Sequence, residues 1–166
     1  MENNSERHYR KSIRLKEYDY SQAGYYFITI CTKNREQLFG KIVDGLMLLN
    51  ENGEIVNEFL KQISIKYQNV AIDYYSIMPN HLHFIVIINE NRRGGVTPPL
   101  PPLGNIIGYF KYQSTKQINI IRNSPGIPIW QRNFYEHIIR NDKELYEIRK
   151  YIENNPLNWS DDEYNN

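Results

Sequence analysis

The sequence predicts an α+β domain: one antiparallel sheet with helices on one side and an extra helix at the C-terminal end. Three observations carry this. Residues 25–32, 70–78 and 81–88 are runs of β-branched, aromatic and alternating apolar residues, the pattern of strands. Residues 50–63, 106–122 and 142–155 instead place their apolar side chains three and four apart, the period of a helix. Pro79-Asn80 separates two of the strands by too little chain for a crossover, so those two must be antiparallel neighbours.

The elements follow in order. Residues 1–24 form a polar, basic N-terminal arm with Arg7, Arg10, Lys11, Arg14 and Lys16, leading through Gly24 into the first strand. A small hairpin is expected at residues 38–49, turning at Asp44-Gly45. Asn50 or Asn52 then caps a first helix whose stripe is Ile55, Val56, Phe59, Leu60 and Ile63. After the paired strands, residues 91–104 read NRRGGVTPPLPPLG, a Gly- and Pro-rich loop that serves as a spacer or as a ligand for a proline-recognising module. Ile106, Ile107, Phe110, Ser114, Ile118 and Ile121 line a second helix, and residues 127–139 an extended segment. The last helix is capped by Asn141 or Asp142 and stopped by Pro156, and residues 160–166 read as an acidic tail beyond a single domain of residues 25–159. The resulting order is that of a ferredoxin-like, or RRM-like, βαββαβ unit with one added helix.

Composition bounds the function. The chain has 166 residues, 40% of them hydrophobic and 23% charged, enough to build one packed core. No apolar run approaches the length of a membrane span, and the polar start MENNSERHYRKS lacks the apolar segment of a signal peptide. Together with the lone Cys31, expected to be a buried small hydrophobe, these point to a cytoplasmic protein without disulfides. The 14 tyrosines are expected mostly to pack in the sheet.

Taken as a total, the formal charge of +1 argues against nucleic acid, but it hides a segregation. Residues 1–35 hold 7 basic and 4 acidic side chains and residues 78–135 hold 6 and 1, whereas residues 36–77 hold 3 and 6 and residues 136–166 hold 4 and 8. A basic face confined to one side is predicted, with Lys111, Lys116, Arg122 and Arg132 as phosphate contacts beside the arm residues Arg10, Lys11 and Arg14.

His81 and His83 are alternate residues of one strand, so both imidazoles project to one face, with Ile85 and Ile87 beyond them and Leu82, Phe84, Val86 and Ile88 on the other side. Such a pair can ligate a metal, or it can be two half-buried histidines with satisfied nitrogens. On the last helix Leu145, Ile148 and Ile152 form the buried stripe, and Tyr151 and Asn155 lie together on its flank. If that stripe packs on the histidine face, two imidazoles, an amide oxygen and a phenol meet at one point. Imidazole with amide oxygen suits an open divalent site such as Mg²⁺ or Mn²⁺. Alternatively, Tyr151 is a boundary aromatic and Asn155 a helix C-cap.

Met78-Pro79-Asn80-His81-Leu82-His83, then Trp130-Gln131-Arg132-Asn133-Phe134-Tyr135-Glu136-His137, then Tyr151-Ile152-Glu153-Asn154-Asn155-Pro156 together resemble the single-tyrosine HUH transposases of the IS200/IS605 type, and most of all the REP-associated tyrosine transposases. The likeness runs from about Ser12 to Trp159. It implies that His81 and His83 bind a divalent metal and that Tyr151 is a nucleophile on DNA, giving a 5′-phosphotyrosine and a free 3′-hydroxyl. Asn155 stands where the insertion-sequence enzymes carry a glutamine ligand. The resemblance also implies a single-stranded, hairpin-forming DNA substrate and, on its REP-associated side, a monomer.

Glu136 and His137 are candidates for assisting Tyr151, or are structural. Tyr109 and Tyr112 are rival nucleophiles on the preceding helix, ranked lower because neither has a polar partner four residues on that is able to reach a metal and neither matches the family motif. Two other functions stay open on the residues alone. One is a single-strand-binding module that uses aromatics as stacking platforms. The other is a zinc hydrolase, which needs a third histidine or an acid, for which Asp73 and Glu136 are nearest in sequence.

Overall fold

The structure is a computed structural model, and it describes residues 22–90 and 99–165. Four strands form an antiparallel sheet: β1 (Gly24–Cys31), β4 (Val70–Ile77), β5 (His81–Ile88) and β6 (Tyr135–Ile139), in spatial order β4-β5-β1-β6. That order is the one a ferredoxin-like unit produces. Strands β2 (Gly40–Val43) and β3 (Leu46–Leu49) make the separate hairpin, and Asp44 and Gly45 at its turn take φ of 51° and 74°, the paired positive values of a type I′ turn.

Helices α1 (Glu51–Lys66) and α2 (Leu103–Ile121) cover one face of the sheet. Tyr26, Ile28 and Ile30 of β1 and Leu82, Phe84, Val86 and Ile88 of β5 pack there against Val56, Leu60 and Ile63 of α1 and Ile106, Ile107 and Phe110 of α2, all buried. Helix α3 (Asp142–Asn154) lies on the opposite face, where Leu145, Ile148 and Ile152 meet Phe27, Ile85, Ile87 and Ile139. This second core is small. At about 1.5–3 kcal/mol per fully buried aliphatic side chain, it seats α3 far less firmly than α1 and α2 are seated.

Asn50 caps α1, its side chain accepting from Gly53 N at 3.0 Å, and Asn141 caps α3 by accepting from Glu144 N at 2.9 Å. Four expectations need correction. Helix α2 begins at Leu103, inside the expected loop, because Pro102 needs no N–H just ahead of a helix. The extended segment is strand only from Tyr135; before that, Trp130 makes a single bridge to Thr32 and turns its Nε1 inward to Ser114 Oγ at 3.0 Å. Cys31 is half-buried, and burial pushes its thiol up to about 11. Among the described tyrosines only Tyr26 is fully buried; Tyr25, Tyr74, Tyr75 and Tyr135 lie in strands but are exposed. The arm residues Arg10, Lys11 and Arg14 and loop residues 91–98 lie outside the described residues. No helix among the described residues is long and apolar enough to cross a membrane.

Candidate metal and nucleophile site

β5 begins with His81 and alternates, so His81 and His83 both face α3, their ring centroids 4.5 Å apart. They are 0% and 1% exposed. Each imidazole is anchored by its inner nitrogen: His83 Nδ1 lies 2.8 Å from Thr29 Oγ1 and His81 Nδ1 lies 2.8 Å from Asn80 Oδ1. The Asn80 amide is oriented by its other end, since Nδ2 donates to the carbonyls of Tyr164 at 2.6 Å and Arg35 at 3.3 Å. Its oxygen is therefore the acceptor, and His81 carries its proton on Nδ1 with a lone pair on Nε2. This is how proteins usually hold a metal-binding imidazole.

The other face of the site comes from α3 and the chain after it. Tyr151 Oη lies 3.2 Å from His83 Nε2, and Phe27 stands edge-on to the Tyr151 ring at 6.0 Å. Asn155 is 3% exposed and donates through Nδ2 to Asp162 Oδ2 at 2.8 Å. Asp162 Oδ2 is 3.9 Å from His81 Nε2, and Asp162 Oδ1 accepts from Tyr164 N at 2.7 Å. Ligand atoms of His81, His83 and Asp162 all lie within 4.8 Å of one another, so this cluster could hold a metal ion.

Two buried atoms of the site, His81 Nε2 and Asn155 Oδ1, have no hydrogen-bond partner among the described residues. Leaving such atoms unpaired costs about 1–3 kcal/mol each. A cation between them would satisfy both, and a pair of imidazoles with amide and carboxylate oxygen is a donor set that divalent ions accept. The residues therefore fit a metal. Burial holds the His81 imidazole down at about 4, a shift the Asp162 charge only partly offsets, and His83 lies well below its usual range through burial and the neighbouring His81. Both are neutral at pH 7 and able to ligate. Burial, reinforced by the charges of Asp162 and Glu163, pushes the Tyr151 phenol up to about 12.

The other expected residues lie elsewhere. Glu136 pairs with Ile28, a residue of the α1/α2 face, and is not brought to the histidines. His137 is on the α3 face but is bound to Glu144 Oε1 at 2.6 Å. Asp73 is bound to Arg149 at 2.7 Å. Tyr109 packs edge-on to Tyr67 on the α1/α2 side, and Tyr112 is exposed there. Lys111 Nζ donates to the carbonyls of Gln131 at 2.9 Å and Asn133 at 3.0 Å, organising that turn. Lys116 and Arg132 line an open groove beside α2 with Tyr112, Thr115 and Pro128, while Arg122 is exposed at the end of α2.

Asp162 and Tyr164 were not legible in the sequence. The Tyr164 ring packs against His81 with centroids 4.6 Å apart and the planes tilted by 41°, and the Arg35 guanidinium lies 5.4 Å from its ring centroid. The acidic run that contains Asp162 has the composition of a solvated tail, and only a chain reversal through Trp159–Asp161 returns it to the site.

Comparison with known proteins adds the family. Residues 20–155 match the family model described as "Transposase IS200 like". A Haemophilus influenzae protein of uncharacterized function is 42% identical over 94% of this chain and 93% of its own length. A second protein of that organism, whose name assigns it provisionally to the REP-associated tyrosine transposases, is 30% identical over 84% of this chain and 73% of its own length. Among solved structures, a REP-associated tyrosine transposase bound to a REP hairpin superposes with a TM-score of 0.62 at 23% identity, covering 88% of this chain and 73% of that one. The chain belongs to the IS200-like transposase family and is of the REP-associated tyrosine type.

Proposed function

We propose that this transposase cuts and rejoins single-stranded, hairpin-forming DNA, acting as a monomer, with Tyr151 as nucleophile and Mg²⁺ or Mn²⁺ held by His81, His83 and Asn155. The observation that carries the reading is the meeting of Tyr151 Oη with His83 Nε2 beside two unpartnered buried ligand atoms. Asp162 adds a carboxylate oxygen to the same set. Bound there, the ion supplies the positive charge that polarises the scissile phosphodiester.

The chain's own groups do the rest. Thr29 and Asn80 fix the imidazoles, so the site is preorganised before DNA arrives. Tyr151 Oη attacks phosphorus, the bond to the 3′ oxygen breaks, and the strand is left as a 5′-phosphotyrosine and a free 3′-hydroxyl. A phenol held near 12 carries little phenolate at pH 7, so its proton leaves as the O–P bond forms, and its exposed edge lets water take it. The departing 3′ oxygen takes up a proton, and reversal by another 3′-hydroxyl rejoins strands without an energy cofactor. Lys116, Arg122 and Arg132, with Arg10, Lys11 and Arg14 of the arm, bind backbone phosphates; Lys111 shapes the turn that presents Arg132. The similar protein bound to a REP hairpin supports the choice of DNA.

The test is incubation with end-labelled hairpin oligonucleotides and Mn²⁺ or Mg²⁺. A protein–DNA band that survives denaturation is expected, lost with Tyr151→Phe or with EDTA. An adduct formed by the Tyr151→Phe protein overturns the assignment, and DNA binding without any adduct reduces the protein to a binding module.

A further inference from the structure

Strand β4 carries one residue too many for its partner. Ile72 pairs with Val86 and Tyr75 with Phe84, so three steps along β4 meet two along β5, and side-chain alternation slips by one. Val70 and Ile72 before the slip belong to the α1/α2 core, and after it Ile77 does too, while Tyr75 Oη bonds Asn57 of α1. The consecutive residues Asp73 and Tyr74 therefore both turn to the α3 face. Arg149 of α3 engages the pair: its Nε donates to Asp73 Oδ2 at 2.7 Å, and its guanidinium lies 5.2 Å from the Tyr74 ring centroid.

At its first turn the same helix is tied to the opposite sheet edge. Glu144 bonds His137 of β6 at 2.6 Å and accepts from Arg140 N at 2.8 Å. Strands β4 and β6 are the two edges of the sheet, so α3 is clasped at both. Between the clasps, among the described residues, lies the small apolar seat. Tyr151, two residues beyond Arg149, is 44% exposed, and one hydrogen bond joins its hydroxyl to the site. Where its hydroxyl falls depends on where the helix lies.

We propose that the β4 bulge, through Asp73 and Tyr74, grips Arg149 to set the lateral position of α3, making these three positioning residues for Tyr151. The proposal rests on Tyr151 being the nucleophile. A single ion pair that stays partly open to solvent contributes only modestly to global stability. It acts instead at the reacting end of a helix whose seat is shallow, where a misplacement of about 1 Å costs up to about a hundredfold in rate. A regular strand would have pointed either Asp73 or Tyr74 into the core.

The experiment measures single-turnover adduct formation at saturating hairpin DNA for wild type, Arg149→Met, Asp73→Asn and the reversed pair Asp73→Arg with Arg149→Asp. Hydrogen exchange of the α3 amides is followed in parallel. The single variants are expected to form adduct about tenfold more slowly, with DNA affinity and melting temperature almost unchanged and faster exchange over residues 145–155. The reversed pair should recover most of the rate. Wild-type rate in Arg149→Met, or a reversed pair no faster than the singles, overturns the clasp. If wild type forms no adduct, the nucleophile reading fails and exchange alone decides: α3 protection unchanged in Arg149→Met rejects the clasp, and lost protection retains it as a determinant of helix position.

Discussion

His81 and His83 are buried, neutral and pinned by their inner nitrogens, which leaves their outer nitrogens as the chemically available atoms. Two predictions belong to this scale. Mn²⁺ binding, followed by calorimetry, should be lost in His81→Ala and weakened about tenfold in Asp162→Asn; equal affinity in Asp162→Asn would show that its carboxylate does not ligate. The second concerns acid. Both imidazoles have folded-state values below that of an unfolded histidine near ~6.5, His81 at about 4. Between those limits the unfolded chain binds protons that the folded chain refuses, so this contribution to stability is complete above pH 6.5 and lost as pH falls towards 4. Denaturant midpoints of the metal-free protein should drop from pH 7 to pH 5, and a flat profile would contradict burial of neutral imidazoles.

Elements were largely legible because each has a local cause. The alternation in β5 placed His81, His83, Ile85 and Ile87 on one face, and the spacing of Leu145, Ile148 and Ile152 marked the inner side of α3. Local patterns say nothing about which sheet face a helix covers, and the placement of α3 opposite α1 and α2 is what turns two faint signals into one site. The bulge in β4 was equally silent, since Asp73 and Tyr74 have no sequence mark separating them from a regular strand. Packing between elements also explains Gly53, in the first turn of α1. A β-carbon there would come within 2.2 Å of the Phe39 carbonyl oxygen and 3.1 Å of Leu49 Cβ. Gly53→Ala should therefore lower stability by about 1–3 kcal/mol in a thermal or urea melt, despite alanine's better helix propensity.

For the whole molecule, net charge is a poor guide because the charges are divided. Lys116 and Arg132 line one groove beside α2, and Gln131 N bonds Cys31 O, so this groove reaches the sheet end that holds His81, the partner of Cys31. Replacing Lys116 or Arg132 by alanine should weaken hairpin binding at low salt and reduce the slope of log affinity against log salt by about one each, whatever the DNA sequence. Fluorescence anisotropy across a salt series measures this, and slopes identical to wild type would move the DNA elsewhere on the surface.

Sequence by itself determined the existence and type of the main strands and helices, narrowed the caps of the first and last helices to two residues each, put the two histidines on one face and marked Tyr151 and Asn155 as candidates. Each of these follows from periodicity or from a short motif, properties that neighbouring residues create together. Tertiary structure alone decided that α3 lies over the histidines, that Asp162 and Tyr164 return to them, and that Arg149 holds the helix to a bulged edge strand. Those contacts join residues far apart in the chain, and they depend on layer order and chain reversal, which no local pattern encodes.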